Sequence, residues 1–435
     1  MSSRRTAAGS TTTHRAGRAT AVGVAAAVAL VLAGCSVDGE PTSDVAGKAA
    51  SPGAAEPSVD VSALDTGTYP TAPRPPFGTA TQENILQIEG QRMAQFIVVP
   101  FEVDEDLTKA GMPTMVITGP SNVRLVLDRS AADVPANKAM VGGYVATAST
   151  PPESLRAGTK RALNNMVVRY LTPADATTAA KQMANATAAN AKGRIGTLPG
   201  LPGTITVSHD STDGKVLMAF TPRNNYVLYQ WYETTPAQQD RLEPTIRTAV
   251  EKQSALIDKF PATPTKAEAA ARGITGPTRP QMDQNHVLIY ALPYSEEELK
   301  NPQSGIPRGS IQAVYGPRGM AHQSSDPVTD FNVLTEVGST ANAVDKSTVY
   351  RASTPEGATK IVDTFLASNR NAGWTDAGSP PGLPSAKCQT NSTVFFCIVQ
   401  KGRYVGSVSA REEKDAFQQI SAQYVIFTKA DQNAN

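Results

Sequence analysis

The segment with the clearest potential for chemistry contains Arg318, His322 and Asp326, each four residues from the next. An imidazole with a carboxylate four residues further on is a candidate general base, and the guanidinium is a candidate group for holding an anionic ligand. In the structural alternative, Asp326 caps a helix over residues 327–338 and His322 bonds to the backbone. We favour the structural alternative and keep His322 and Asp326 as candidate catalytic residues.

Two more arginines, Arg169 and Arg351, stand at equivalent positions near the ends of two predicted strands. Such a duplicated pair is a candidate for binding two copies of an anion. More often, an arginine at a strand end packs its stem on the sheet and pairs with a local carboxylate. The strand that contains Tyr229 and Trp231 is a candidate for stacking a sugar, although a strand this rich in aromatic residues is usually part of a core.

The sequence lacks the common signatures of catalysis and metal binding. It contains no H-E-x-x-H zinc motif, no G-x-S-x-G nucleophile motif and no glycine-rich phosphate loop. After residue 34 the histidines are His209, His286 and His322, and none lies at ligand spacing from another histidine or a cysteine. We therefore expect no metal and no cofactor. An active site assembled from scattered residues leaves no motif, so enzymatic activity stays open as an alternative.

The N-terminal residues have the pattern of an export signal. Residues 1–34 contain four arginines and no acidic residue, and they end in an apolar stretch that is too short for a membrane span of roughly 20 residues. The sequence Leu-Ala-Gly-Cys at 32–35 resembles the lipobox of bacterial lipoproteins. This resemblance implies cleavage before Cys35 and lipid attachment to its thiol. A plain secretory signal that happens to end in cysteine is the alternative.

The charge balance argues against nucleic acid as a partner. The whole chain carries a formal net charge of +1, and without the four signal-peptide arginines 36 basic side chains face 39 acidic ones. A nucleic-acid binder needs clustered positive charge, and no lysine- or arginine-rich run occurs. Attachment to a membrane would therefore depend on the lipid at Cys35.

The chain after the export signal divides into a tether and two related domains. Residues 35–66 are rich in small, proline and acidic residues and contain few large apolar side chains, which predicts a disordered tether. Residues 166–177 match residues 348–359 at an offset of 182, and the Pro-Gly-Leu-Pro sequences at 199–202 and 381–384 share that offset. We therefore predict an internal duplication. The predicted parts are a first domain at 67–262, a linker at 263–280 and a second domain at 281–430.

Each copy predicts an α+β unit in which a sheet and helices pack as a sandwich. A strand leads into a helix capped by Thr172 or Thr354, with proline at the first helical position. A meander of antiparallel strands and a closing helix follow. Further predicted elements are strands at 113–118, 123–128, 286–291 and 311–315 and helices at 84–97, 241–258 and 411–422.

The remaining two cysteines, Cys388 and Cys397, are an even pair for an oxidising compartment. They flank a turn at Asn391-Ser392, so they can face each other across neighbouring strands. Their spacing is not the C-x-x-C of a redox-active pair. We therefore predict a structural disulfide. The first copy has Thr206 and Ala219 at the matching places, so the bridge belongs to the second copy alone.

Several motifs spread along the chain match those of a known family. They are Leu64–Pro73, Glu89–Ala94 and Val99–Asp104 in the N-terminal part, and Tyr315–His322, Asp326-Pro327 and Val349–Arg351 in the C-terminal part. Together they resemble a family of uncharacterised actinobacterial cell-envelope lipoproteins of a two-domain type. The resemblance covers nearly the whole mature chain. It implies a domain of unknown function and supplies no catalytic residues.

These features predict an extracytoplasmic lipoprotein held at the cell membrane by its lipid. Anchor, tether, duplication and missing catalytic motifs together favour a non-enzymatic binding or scaffold protein, with an envelope protein, glycan or lipid in the cleft between the domains. One alternative is an envelope hydrolase or transferase that uses His322 and Asp326. Another is the sensing partner of a signalling membrane protein.

Overall fold

The computed structural model describes residues 59–434, apart from residues 213, 277, 302 and 304. The predicted signal peptide, the lipidation site Cys35 and the tether up to residue 58 lie outside the described residues. The described chain belongs to one compact unit, Ser58–Asn435. None of its described helices combines the length and the apolar composition that a membrane span needs.

Two antiparallel sheets organise the described chain. The strands of the first sheet are β1 (Lys109–Ala110), β2 (Met115–Ile117), β3 (Met140–Ser149), β4 (Arg161–Tyr170), β5 (Arg194–Thr197), β6 (Ile205–Asp210), β7 (Lys215–Arg223) and β8 (Tyr226–Thr234). The strands of the second sheet are β9 (Ala313–Tyr315), β10 (Asn342–Val344), β11 (Thr348–Arg351), β12 (Thr375–Ala377), β13 (Lys387–Thr390), β14 (Phe395–Lys401) and β15 (Tyr404–Ala410).

The two sheets share one strand order. The first runs β1-β3-β4-β8-β7-β6-β5, with β2 also paired to β3, and the second runs β9-β10-β11-β15-β14-β13-β12. Strands β9 to β15 therefore correspond one by one to β2 to β8. The prediction of an α+β fold built from two related sheet-and-helix domains is confirmed.

Helices cover the faces of both sheets. They are α1 (Ile85–Ala94), α2 (Pro120–Val123), α3 (Arg129–Ala132), α4 (Pro152–Arg156), α5 (Pro173–Ala191), α6 (Leu242–Ile257), α7 (Lys266–Ala271), α8 (Glu296–Lys300), α9 (Pro317–Gln323), α10 (Pro327–Glu336), α11 (Pro355–Asn371) and α12 (Glu413–Phe427). Short 3-10 turns occur at Val61–Ala63, Pro100–Glu102, Pro135–Ala139, Pro236–Arg241, Gln284–His286 and Leu288–Tyr290.

The equivalent helices α5 and α11 begin in the same way. The hydroxyl of Thr172 accepts the backbone N–H of Asp175, and the hydroxyl of Thr354 accepts that of Gly357, each at 3.1 Å. These caps satisfy N–H groups that the first helical turn leaves without a partner. The predicted apolar stripes face the sheets and are buried at Ala176, Ala179, Ala180, Met183 and Ala184 in α5 and at Ala358, Ile361, Phe365 and Leu366 in α11.

One hydrophobic core extends from the first domain into the second. It contains Tyr144 and Val167 of the first sheet, Tyr350 and Ile398 of the second, and Met93 of α1. Burial of such side chains stabilises by about 1.5–3 kcal/mol each. The two domains therefore pack tightly against each other, and α1 fills much of the space between them.

The disulfide between Cys388 and Cys397 is formed, as predicted. The two residues stand directly opposite each other on β13 and β14, with Cα atoms 4.1 Å apart. In the first sheet, Thr206 and Ala219 are opposite each other on β6 and β7. The sequence offset therefore identified the corresponding cross-strand pair in both sheets.

Two of the predicted strands are wrong. Residues 123–128 leave α2 and enter a turn, because the Asp128 carboxylate caps α3 by accepting the N–H groups of Ser130 and Ala131. Residues 286–291 form 3-10 turns, because the buried Asp283 carboxylate accepts successive backbone N–H groups from residues 287–289. A single carboxylate that gathers several N–H groups favours a tight turn over an extended strand.

The N-terminal segment also differs from expectation. Residues 59–66, predicted as the end of the disordered tether, are ordered, and Leu64 is buried in the core of the second domain. Tyr69 donates a hydrogen bond to Asp415 at 2.6 Å, and Arg74 pairs with Asp345 at 2.8 Å. The start of the predicted first domain therefore packs on the second domain.

The segment 263–280, predicted as a linker, contains helix α7. Thr265 and Glu268 form a capping box at its first turn, in which each side chain accepts the backbone N–H of the other residue. Glu268 also forms an ion pair with Arg169, a buried residue of the first sheet, so this segment contributes contacts to the first domain.

Candidate ligand-binding site

A pocket of about 370 Å³ opens between the two domains. Its lining residues come from α1, from the chain after α6, from the turn at 284–286, and from the ends of β9 and α10. They are Gln91, Arg92, Gln95, Phe96, Phe260, Pro261, Gln284, Asn285, Val314, Gly316, Pro317, Ser339 and Thr340. The volume lies at the lower end of the range that small-molecule sites occupy.

The lining combines amide and hydroxyl groups with two phenylalanine rings. No carboxylate, histidine, cysteine or lysine is among the described residues that line it. Some of the amides are engaged: Gln91 donates to the carbonyls of Gly309 and Ile311, and Gln95 accepts the N–H of Gly319. These contacts cross from the first domain to the second and fix one wall of the pocket.

Other polar groups of the pocket are available to a ligand. The side chains of Gln284, Asn285 and Thr340 make no hydrogen bond to another described residue, and those of Asn285 and Thr340 are exposed. Amides and hydroxyls both donate and accept hydrogen bonds. The pocket therefore suits a ligand that is rich in oxygen and hydrogen-bonding groups.

Among the described residues that line the pocket, Arg92 carries the charge, and its guanidinium is already hydrogen-bonded. It donates to Glu89, to the Thr263 hydroxyl at 2.9 Å and to the Pro261 carbonyl at 2.9 Å. It also lies over the Phe260 ring, 5.7 Å from the ring centroid. Arg92 therefore builds the pocket wall, and Glu89 balances its charge.

The candidate base His322 is in the core, away from this pocket. Its Nε2 lies 3.1 Å from the Ile97 carbonyl, and its ring packs on Tyr144 with centroids 5.4 Å apart. Burial lowers the pKa of His322 to about 4, and the nearby Arg318 charge acts in the same direction. The imidazole is therefore neutral at pH 7 and serves packing between the domains.

The candidate Asp326 caps helix α10. One carboxylate oxygen accepts the Thr329 N–H at 3.3 Å and the other accepts the Ser368 hydroxyl at 2.6 Å. No hydrogen bond or ion pair within the described chain joins Asp326 to His322. The geometry required of a general base oriented by a carboxylate is therefore not present.

Arg318 forms a bidentate ion pair across the domains. Its Nη2 and Nε lie 2.7 and 3.1 Å from the two carboxylate oxygens of Glu102, and it lies over the Phe331 ring. Such a planar pair fixes both partners. Arg318 therefore joins the domains, with Nε and Nη2 both engaged by Glu102.

The two equivalent arginines have different partners. Arg169 contacts Glu268 at 2.6 Å and Glu89 at 3.8 Å and donates to the Thr263 carbonyl at 2.8 Å. Arg351 donates from Nη1 to the Asn285 carbonyl at 2.9 Å, and no carboxylate of the described chain forms an ion pair with it. Only Arg169 therefore has the local carboxylate that the sequence predicted.

The two aromatic residues considered for stacking a sugar lie in or against the core of the first domain. Tyr229 is buried in the core of the first domain, and Trp231 packs against that core. The described residues contain no group of three or more metal-ligating side chains. No sequence motif points to Gln284, Asn285 or Thr340, because the pocket draws single residues from separate segments.

Comparisons with known proteins give a family and no activity. The extracellular domain of PknH from Mycobacterium tuberculosis, known from a crystal structure, is 15% identical; the match covers 42% of this chain and 98% of that one, with a TM-score of 0.27. No curated protein matches the sequence. Residues 76–272 match the N-terminal part and residues 295–430 the C-terminal part of the domain of unknown function DUF7373. The chain therefore belongs to the DUF7373 family, with both of its domains present.

Proposed function

We propose that this protein is a lipoprotein of the cell envelope, lipidated at Cys35, that binds an oxygen-rich ligand such as a glycan in the pocket between its domains. The proposal includes no chemical step on the ligand. The location at the cell envelope is inferred from the sequence and the binding site from the structure. A separate experiment tests each of them.

The observation that carries the binding proposal is the composition of the pocket. Unengaged amide and hydroxyl groups at Gln284, Asn285 and Thr340 lie beside the rings of Phe96 and Phe260. Sugars present hydroxyl groups at their edges and apolar C–H groups on their faces, so this mixture of side chains complements them. A phospholipid tail would need a larger and more apolar cavity.

Two features support binding without catalysis. A glycosidase places two carboxyl groups on either side of the scissile bond, and the described lining of this pocket contains none. The residues that the sequence offered as a base and its partner, His322 and Asp326, are engaged in packing and helix capping instead.

The proposed localisation at the membrane rests on the sequence. The lipobox-like sequence at 32–35 offers Cys35 for lipidation, and a disulfide is typical of proteins that fold outside the cytoplasm. We expect Cys35→Ser to abolish labelling by a palmitate analogue and to move the protein from the membrane fraction to the medium. Labelling or membrane retention unchanged by Cys35→Ser would refute the anchor.

Binding is tested with the compact unit Ser58–Asn435. The probes are soluble disaccharide-peptide fragments of peptidoglycan and short arabinan and mannan oligosaccharides, measured by thermal shift and by isothermal titration. We expect at least one probe to bind. The variant Thr340→Trp places an indole at the pocket mouth and should weaken that binding at least tenfold, whereas Thr178→Trp on the exposed face of α5 should not.

Two outcomes would contradict the binding site. One is that none of the three classes of glycan binds. The other is that binding persists unchanged in Thr340→Trp, which would move the ligand to another surface.

A further inference from the structure

A second cavity, of about 510 Å³, opens to solvent in the first domain. Its walls are the C-terminal end of α5, the strands β5, β6 and β7, and the chain that enters α6. It shares no lining residue with the pocket between the domains. Its volume falls within the range that small-molecule sites occupy.

Positive charge predominates in the lining of this cavity. Lys192, Arg194 and Lys215 line it together with a single carboxylate, that of Asp210. Lys215 pairs with Asp210 at 2.5 Å, and Lys215 and, more weakly, Arg194 hold the pKa of Asp210 below its usual range. The exposed side chains of Lys192 and Arg194 make no hydrogen bond or ion pair with a described residue. Two positive charges of the cavity are therefore unbalanced.

The second domain lacks both cations at the equivalent positions. Arg194 stands opposite Ser208 across β5 and β6, and the residue in the same place on β12 is Thr375. Two residues earlier, Lys192 corresponds to Gly373, and both have a left-handed backbone, with φ of 49° and 88°. Glycine is the residue that this conformation favours. The shared fold therefore does not require the two cations, and the lysine occupies its position against the backbone preference.

The cavity continues into a groove of about 670 Å³ between the sheet and the start of α6. Arg194, Ser208 and Gln239 line both spaces, and the Ser208 hydroxyl and the Gln239 amide make no hydrogen bond with a described residue. Asp240 and Glu243 line the groove beyond them. A negative group is therefore favoured at the cationic end, and the groove offers hydrogen bonds to a polar body attached to it.

We infer that this cavity binds the phosphate group of a small polar molecule such as a sugar phosphate, with Lys192 and Arg194 at the phosphate and the groove around the rest. A phosphate monoester carries a charge of about −1.5 to −2 at pH 7, which matches two unpaired cations, whereas a carboxylate would leave one of them unbalanced. A guanidinium also matches the phosphate oxygens in geometry. The site does not depend on the glycan proposed for the pocket between the domains.

The experiment titrates the unit Ser58–Asn435 with glucose 6-phosphate, inorganic phosphate and glucose, at an ionic strength held constant with sodium chloride. Isothermal titration reads the binding. We expect glucose 6-phosphate to bind at least tenfold more tightly than inorganic phosphate, because the groove contributes contacts, and glucose not to bind at the same concentrations. If neither phosphate binds saturably, the inference is overturned. Equal affinities for the two phosphates would overturn the role of the groove and assign the site to free phosphate.

A double variant tests the two cations. Lys192→Asn with Arg194→Gln removes both charges, and asparagine tolerates the left-handed backbone. We expect it to weaken binding of glucose 6-phosphate at least tenfold. Both side chains are exposed, so the midpoint of thermal unfolding without ligand should stay close to that of the wild type. Binding as tight as that of the wild type would overturn the site.

The matched control removes two exposed cations of α7 that also have no partner in the described chain, through Lys266→Asn with Arg272→Gln. Helix α7 lies beside the turn between β7 and β8, at the other end of β7 from Lys215. The control has the same net charge as the cavity variant, and we expect it to bind glucose 6-phosphate within twofold of the wild type. An equal loss of binding in both variants would assign the effect to net charge and overturn the site.

Discussion

The two domains share a strand order but balance their buried arginines differently. In the first domain, Arg169 has Glu268 within 2.6 Å and Glu89 within 3.8 Å. In the second, Arg351 has backbone and hydroxyl oxygens only. Both glutamates lie outside the repeated strands, on α1 and α7. The repeat therefore supplies the arginine, whereas the connecting segments supply its carboxylate partners.

The domains differ in a second respect, the covalent link between strands. Cys388 and Cys397 tie β13 to β14, whereas Thr206 and Ala219 leave β6 and β7 joined by hydrogen bonds and packing. The first domain has the longer strands and buries large side chains along β7 and β8. The second has shorter strands and therefore gains more from a cross-link.

We expect the largest change in the free energy of unfolding from substituting the two equivalent arginines. Arg169→Met leaves the partly buried Glu268 carboxylate without its cation, while Glu89 keeps Arg92, and we expect it to lower the free energy of unfolding by about 3–5 kcal/mol. Arg351→Met removes a charge that has no partner, and we expect a change within about 1 kcal/mol or a gain in stability. Urea unfolding at pH 7 in phosphate-free buffer measures both. Equal destabilisation by the two substitutions would show that Arg351 has a stabilising partner.

A carboxyl group provides the next contrast. In the first domain Asp133, after α3, is held by Arg124, which lowers its pKa. In the second domain, burial on α10 raises the pKa of Asp330 to about 7, and the Asp326 charge adds to the rise. A raised folded-state pKa means that stability is complete below the usual value near 4 and falls as the pH rises through 7.

We therefore expect Asp330→Asn to stabilise the protein at pH 8 by up to about 3 kcal/mol and to have little effect at pH 4. Unfolding free energies of wild type and variant across this range test the sign. Asp133→Asn makes the same change at an exposed carboxylate that is paired with Arg124, and it should not stabilise at pH 8. A stability difference between Asp330→Asn and the wild type that stays constant between pH 4 and 8 would argue against the buried carboxyl.

The disulfide is expected to contribute about 2–3 kcal/mol, given the short loop that it closes. Replacing both cysteines by alanine should lower the free energy of unfolding by that amount. The converse experiment introduces Thr206→Cys and Ala219→Cys and should form a bridge in the first domain, detected by mass spectrometry before and after reduction. Failure of the new pair to oxidise would mean that the two hairpins are less alike than their register indicates.

The smallest expected effect concerns the contact that joins the domains. Burial lowers the pKa of His322 to about 4, so its contribution to stability is complete above about pH 6.5 and is lost as the pH falls towards 4. At pH 5 the loss amounts to about 2 kcal/mol. His322→Gln keeps a hydrogen-bonding side chain that does not titrate, and it should flatten this part of the pH profile. An unchanged profile would assign the acid sensitivity to other groups.

Much of the fold was predictable because it depends on local patterns. The Thr-Pro starts of α5 and α11, their apolar stripes and the offset of the repeat all lie within short stretches of sequence. The two wrongly predicted strands have one physical cause: a carboxylate accepts several backbone N–H groups, which the periodicity of the segment does not reveal. Asp283 and Asp128 did so in the two segments predicted as strands.

Residue types at fixed spacings were enough to predict the α+β class, the duplication, the starts of α5 and α11 and the pairing of Cys388 with Cys397. The tertiary structure alone decided which polar groups have partners. Glu268 reaches Arg169 through a segment that reads as a linker, Arg351 stays without a carboxylate, and His322 enters the core. Those outcomes depend on which distant segments come into contact. The spacing of residues along the chain does not determine those contacts.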